Sequence, residues 1–398
     1  MGTMGSKLVV PKAPERSDFA DFAIAAVAGL ALALTILYIA AVPFAGKLSA
    51  SRDFVSYWAT GHQLARHGNP YDRGAIMQIE HAAGLDARAI LIMRNPPWAL
   101  PLVLPLAFVG LRVAGILWTL LLLASLLLSV RLVHQMHGFP ASRIHWLGFA
   151  FSPGLICLTM GQTSLFALLG LVVFLRYHAS RPFAAGAVLW LCALKPHLFL
   201  PFMVALAAWM VMTRSYKLLA GAVAALALTS AIATLLDPRA WHDYVELIRS
   251  PAVENEFIPC LPDALRHWLM PQSALLQYLP AALGCAWALV YYWRRRADWN
   301  WLTHGSPLML VSLLLAPYCW LYDQCLAMPA LLHGAYSSRS RHLAAVLALL
   351  MLAADIEIGL VKVTSPLWLW TAPAWLGWYL LARSAPAKDA VNAAEAAS

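Results

Sequence analysis

Long apolar runs alternate with short polar connectors along almost the whole chain. After a polar start, residues 22–42 are nearly all apolar. Further apolar stretches cover 113–133, 144–158, 164–177, 183–194, 198–212, 218–236, 274–293, 307–317, 325–332, 342–358 and 366–381. Together they predict about twelve membrane helices. Several fall short of the roughly 20 residues that a perpendicular crossing needs. Short, proline-interrupted helices suit positions buried in protein rather than facing lipid. Two polar inserts break the rhythm, at 43–95 and 237–271. In the first, Phe54, Tyr57, Trp58, Gly61, Leu64 and Ala65 recur at helical spacing. In the second, Trp241, Tyr244, Val245, Leu247 and Ile248 oppose Arg239, His242, Glu246 and Arg249. Both patterns predict amphipathic helices on the membrane interface. The segment 96–105 carries four prolines and reads as a re-entrant or half-depth element.

Composition turns this pattern into a fold class. The 398 residues are 61% hydrophobic and 12% charged, with a mean hydropathy of +0.68, whereas a soluble domain carries about 25% charged residues. An all-α polytopic membrane protein is expected. A soluble enzyme, a disordered scaffold and a disulfide-stapled secreted module are excluded. Residues 18–384 form one transmembrane domain, flanked by disordered cytoplasmic tails at 1–17 and 385–398.

The net charge of +9 does not call for nucleic acid, because Lys and Arg accumulate in cytoplasmic loops. The basic connectors Arg131 with Arg143, Arg176 with Arg181, Arg214 with Lys217, Arg294-Arg295-Arg296, and Arg339 with Arg341 alternate with nearly uncharged ones. This places both termini in the cytoplasm and both inserts outside, as in a bacterial inner (plasma) membrane protein with its active site on the periplasmic face. The six cysteines show no metal or disulfide spacing.

Candidate chemistry lies where polar residues interrupt the apolar rhythm. Asp53 begins the first insert helix and reads in two ways. It is a helix N-cap, or a carboxylate poised as a general base. Lys195-Pro196-His197 interrupts the apolar run 184–212. A cation and an imidazole at that depth are functional candidates by default, here as partners for a phosphate; a hairpin tip with a snorkelling lysine is the bland alternative. Tyr318-Cys319-Trp320-Leu321-Tyr322-Asp323 interrupts another run, and Asp323 has no basic neighbour in sequence. Arg266, in the second insert, is placed to meet an anionic substrate or a lipid headgroup. Asp355 and Glu357 read as ion-pair partners of Lys362, and His134 and His137 as solvated residues of the cytoplasmic interface. No cofactor is expected, and no divalent metal is called for.

These elements together resemble glycosyltransferase family 87, the polyprenyl-phosphate-mannose-dependent, mannosyltransferase-like enzymes of the GT-C superfamily. The resemblance rests on Asp53-x-x-x-Tyr57, Gly68-Asn69-Pro70-Tyr71-Asp72, the Pro96-Pro97 and Pro105-Leu106 element, and Leu194-Lys195-Pro196-His197. Ala316-Pro317-Tyr318 with Tyr322-Asp323 fits more loosely, since many members carry a His pair there. The resemblance implies a GT-C-like helical bundle that transfers a sugar, commonly mannose, from a polyprenyl-phosphate donor to a lipid or glycan acceptor at the outer face. Asp53 would be the catalytic base, and Lys195 and His197 the donor-phosphate partners. Tyr57, Tyr71, Asp72, Tyr318, Tyr322, Asp323 and Arg266 would contact substrate. One carboxylate and in-line displacement imply inversion. No carboxylic acid is needed opposite it, because phosphate is a good leaving group. The rival reading is a transporter or flippase of lipids or small solutes, with Lys195 and Asp323 lining its path. Against it, no internal repeat is visible.

Overall fold

The computed structural model describes residues 53–84, 91–250, 256–338 and 341–384, together with helical residues 24–26, 28–33, 35 and 37. The expected tails and the ends of the 22–42 stretch lie outside the described residues. Every regular element described is a helix or a 3-10 turn, with no strand among the described residues.

Three helices are long and apolar enough to cross a membrane: Leu111–Met136, Tyr216–Leu236 and Leu275–Arg295. Their outward faces carry exposed leucines and valines, such as Val223, Leu228 and Leu235 on the second, as a lipid-facing surface requires. The stretches expected at 183–194 and 198–212 instead form one bent pair. Pro182–Leu194 and Pro196–Met212 meet at 117°. The cause is local. Pro196 has no N–H to continue a helix and pushes the preceding residue out of helical geometry, and Lys195 sits at φ −136, ψ 68.

Other apolar stretches are broken helices inside the protein. Residues 144–158 divide into the turn Ile144–Gly148 and the helix Ser152–Met160, whose residues 152–158 are all buried. Residues 321–335 form the turn Leu321–Ala327 and most of the helix Met328–Ser337, and are buried throughout. Apolar composition records burial, and protein neighbours are as apolar as lipid tails. Length and composition therefore support three or four spans among the described residues.

The first insert helix, Phe54–Ala65, differs from the interfacial helix expected of it. Phe54, Val55, Ser56, Tyr57, Ala59, Thr60, Gly61 and Leu64 are all buried. It packs inside the protein because both of its sides find partners. Gly61 lets the backbone of the proline-rich Pro97–Phe108 element approach so closely that a Cβ there would lie 2.5 Å from the Val103 carbonyl oxygen. On the other side, the Phe54 and Tyr57 rings lie 6.0 and 5.4 Å from Trp118 of Leu111–Met136. In the second insert, the Ala240–Ile248 helix is amphipathic as expected, and its aromatic face has a protein partner. Trp241 meets Trp98 at 5.6 Å and Tyr244 meets Tyr71 at 5.5 Å, so the two inserts pack together.

The histidines expected to be solvated are partly enclosed. His137 Nε2 lies 3.0 Å from His333 Nδ1, and His134 stacks on His145 at 3.9 Å. Glu357 accepts a hydrogen bond from Trp370 Nε1 at 2.9 Å rather than pairing with Lys362.

Candidate active site

Asp53 stands at the N-cap position of Phe54–Ala65, yet its side chain makes no capping hydrogen bond. Its Oδ2 instead accepts from Gln162 Nε2 at 2.5 Å. Gln162 Oε1 in turn accepts from Tyr57 Oη at 2.9 Å and from Lys195 Nζ at 3.0 Å. Both of these groups are donors at neutral pH, so the amide oxygen must face them and the amide NH2 must face Asp53. The glutamine thus holds Asp53 as an acceptor, which favours its ionised form.

Lys195 Nζ reaches further, to Asp323 Oδ1 at 2.6 Å. The same oxygen accepts from Ser164 Oγ at 2.5 Å, and Asp323 Oδ2 accepts the backbone N–H of Trp320 at 3.0 Å. The ammonium also faces the Tyr322 ring, 4.7 Å from its centroid, a favourable cation–π placement. A continuous chain of polar contacts therefore runs Asp53–Gln162–Lys195–Asp323. Asp323, isolated in sequence, has found its cation in space.

Each member is set by local chain geometry. Gln162 follows Gly161, which ends the Ser152–Met160 helix in a left-handed conformation at φ 74. The Gly161 carbonyl accepts from Trp118 Nε1 at 2.7 Å. A Cβ at Gly161 would lie 2.7 Å from Phe54 Cβ, next to Asp53 itself. Gly161→Ala is therefore expected to cost about 1–2 kcal/mol in backbone strain and to displace Asp53 from Gln162. A lowered melting temperature and a loss of about tenfold or more in transfer would follow; an unchanged melt and rate would show that the turn does not position the carboxylate. At the other end, Asn95 Nδ2 donates to the Leu194 carbonyl at 2.9 Å, and Tyr71 Oη donates to the Asn95 carbonyl at 3.0 Å. The first insert thereby braces the bend that presents Lys195.

The structure gathers Asp53, Tyr57, Lys195, Tyr322 and Asp323 directly. His197 and Tyr318 stand beside them with their rings 3.8 Å apart. Tyr71 acts one step away, through Asn95. Asp72 is elsewhere. It is exposed and caps the Arg73–Ala82 helix, accepting from Gly74 N and Ala75 N at 2.8 and 3.1 Å. Arg266 meets the Tyr318 segment through Gln277. It is buried and donates to Gln277 Oε1 at 2.7 Å, while Gln277 donates to the Pro317 carbonyl at 3.1 Å. Its visible work is to support the entry into the Tyr318 segment. Sequence reasoning missed Gln162, Ser164, Asn95 and Arg94. The available signal was Gly161-Gln162-Thr163-Ser164, a polar break between apolar stretches that looks like an ordinary connector.

Burial holds the Asp53 carboxyl above the usual carboxylate range, while the Gln162 hydrogen bond and the charges of Lys195 and Arg94 pull it back. A half-buried carboxylate with its pKa raised in this way is a stronger proton acceptor than a free aspartate. Among the described residues, one group of three could offer ligands to a metal ion. It comprises His242, Asp243 and Glu246 on Ala240–Ile248, with ligand atoms within 4.8 Å of one another.

The family model for glycosyltransferase family 87 matches residues 94–317, more than half of the chain. The chain belongs to glycosyltransferase family 87. No curated protein and no solved structure matches it. The matched span of this glycosyltransferase includes Pro96-Pro97, Gln162 and Lys195-Pro196-His197, but it begins after Asp53 and ends before Asp323. What ties these two carboxylates to the family region is the hydrogen bonding of Gln162 and Lys195.

Proposed function

We propose that this glycosyltransferase moves a sugar, mannose by family resemblance, from a polyprenyl-phosphate donor to a lipid or glycan acceptor at the outer face of the membrane. The observation that carries the reading is the half-buried Asp53 carboxylate, held through Gln162 to the buried Lys195–Asp323 pair. Gln162 occupies one carboxylate oxygen. The other accepts the proton of the acceptor hydroxyl as that oxygen attacks the anomeric carbon. The C1–O bond to phosphate breaks, and its electron pair leaves with the lipid monophosphate. A single displacement inverts the anomeric carbon. Tyr57 Oη and Lys195 Nζ fix the glutamine, so the base is pre-aimed, which is the source of most gain from positioning.

The proposed topology keeps the alternation of basic connectors, with both termini in the cytoplasm and the two inserts outside in a bacterial inner membrane. Such a location supports a lipid-anchored donor over a nucleotide sugar. The crossings beyond those that length and composition identify are part of the same proposal, which keeps the GT-C-like bundle of about twelve.

The deciding experiment offers purified protein polyprenyl-phosphate mannose and, separately, nucleotide-activated mannose, each with lipid and glycan acceptors. Transfer from the lipid donor alone, with an inverted anomeric centre by NMR, is expected. Transfer from the nucleotide sugar, or retention of configuration, would overturn the reading.

A further inference from the structure

Lys195 is the cation that the sequence singles out for an anionic donor, but its ammonium is already committed. It has three N–H bonds, and it holds Asp323 at 2.6 Å and Gln162 at 3.0 Å while facing the Tyr322 ring. Binding a phosphate there would have to compete with a carboxylate whose side chain is 1% exposed. An unpaired carboxylate at such a depth is strongly disfavoured.

Arg94 stands differently. Its side chain is 35% exposed, and the next residue, Asn95, is anchored at Leu194, immediately before Lys195. Its charge also acts on Asp53, Tyr318 and Tyr322, so it belongs to the same electrostatic neighbourhood. Its guanidinium meets the Glu256 carboxylate of the second insert at 2.5 Å, and the Glu256 side chain is 32% exposed. An Arg–Glu pair whose side chains both reach solvent is held less firmly than the buried Lys195–Asp323 pair. The guanidinium fork also matches a phosphate, which brings more charge and more acceptor oxygens than a carboxylate.

We propose that Arg94 binds the phosphate of the lipid-linked sugar donor, at the position that the Glu256 carboxylate fills in this structure. The inference rests on the glycosyl-transfer reading but concerns donor binding rather than proton abstraction. As the anomeric C1–O bond breaks, its electron pair passes to the bridging oxygen, and the departing monophosphate gains a charge beside Arg94. The acceptor oxygen meanwhile forms its bond to C1 and its proton goes to Asp53.

The test measures binding of polyprenyl monophosphate to purified wild type, Arg94→Ala, Arg94→Lys and Glu256→Gln by ligand-induced thermal shift, with donor and acceptor KM taken alongside. Arg94→Ala is expected to weaken monophosphate binding about ten- to a hundredfold, with Arg94→Lys recovering only part. Glu256→Gln is expected to tighten it severalfold by removing a competitor, and acceptor KM stays unchanged in all three. Should Arg94→Ala bind the monophosphate as wild type does, or Glu256→Gln weaken binding as much as Arg94→Ala, the pair is structural and the proposal falls. The binding arm holds whether or not transfer is observed, so failure of the glycosyl-transfer reading would show separately, as wild type that binds monophosphate but transfers nothing. Melting temperatures without ligand separate misfolding from lost binding, and Arg94→Lys and Glu256→Gln keep the question open to an answer if Arg94→Ala does not fold.

Discussion

Asp53→Asn is expected to leave a folded, thermally normal protein that transfers almost no sugar. The amide keeps the size of the side chain and the backbone of the Phe54–Ala65 start, which the Asp53 side chain does not cap. The substitution removes the proton acceptor, and loss of a general base typically costs about 10²–10⁴-fold in rate. It also sets an amide NH2 or a weaker acceptor against Gln162 Nε2, which Lys195 and Tyr57 prevent from turning over. Single-turnover kinetics with saturating donor, alongside a melting curve, reads both effects. On the proposed mechanism, wild-type activity requires the ionised carboxylate, and burial raises its pKa. The rate therefore falls with acidification at a pH above the ordinary aspartate range, and that acid limb disappears in the residual activity of Asp53→Asn. An active Asp53→Asn enzyme would remove Asp53 from catalysis.

The second large effect concerns stability. Lys195→Ala leaves Asp323 buried and charged, and Asp323→Asn leaves the Lys195 ammonium without its carboxylate. Breaking one partner of a buried pair costs about 3–5 kcal/mol, so both variants should melt well below wild type. Replacing the pair together by apolar residues, Lys195→Met with Asp323→Leu, removes both charges. That double variant should regain much of the lost stability while staying inactive, because Gln162 has lost the donor that orients it. Single variants that melt like wild type would show that the pair is not buried as a unit.

Much of this site was legible because polar residues inside apolar runs are expensive and therefore conspicuous. Lys195 and Asp323 stand out in that way, Asp53 stands where the chain leaves an apolar run for the first insert, and the three converge. The roles of two carboxylates were harder to read. Asp53 and Asp72 each precede a helix and each suits a cap; the structure gives the cap to Asp72 and the network to Asp53, because only Asp53 has Gln162 opposite it. In the sequence Gln162 is marked only by the uncharged polar break Gly161-Gln162-Thr163-Ser164. It is uncharged, sits beside a glycine and earns its role through contacts with residues more than thirty and up to 109 positions away. Arg94 reads as one more basic residue in an insert. Helix length and composition identify three or four crossings among the described residues, because stretches such as 144–158 and 321–335 fold as short, broken helices whose apolar character comes with burial. The interfacial reading of Phe54–Ala65 missed for the same reason. Helical spacing reveals an apolar face, and the partners of that face lie far along the chain.

The bend at Lys195 carries a cost during synthesis. Its ion-pair partner lies 128 residues downstream, and at bacterial or eukaryotic rates of about 5–20 residues per second that interval lasts on the order of ten seconds. Throughout it the lysine sits between two apolar half-helices with its intended carboxylate not yet made. The nascent chain must either keep this bend near water or lend it a temporary anion, so the first half of the protein is the part most dependent on the insertion machinery, and truncation before residue 323 should yield a chain that is degraded rather than a stable half-enzyme.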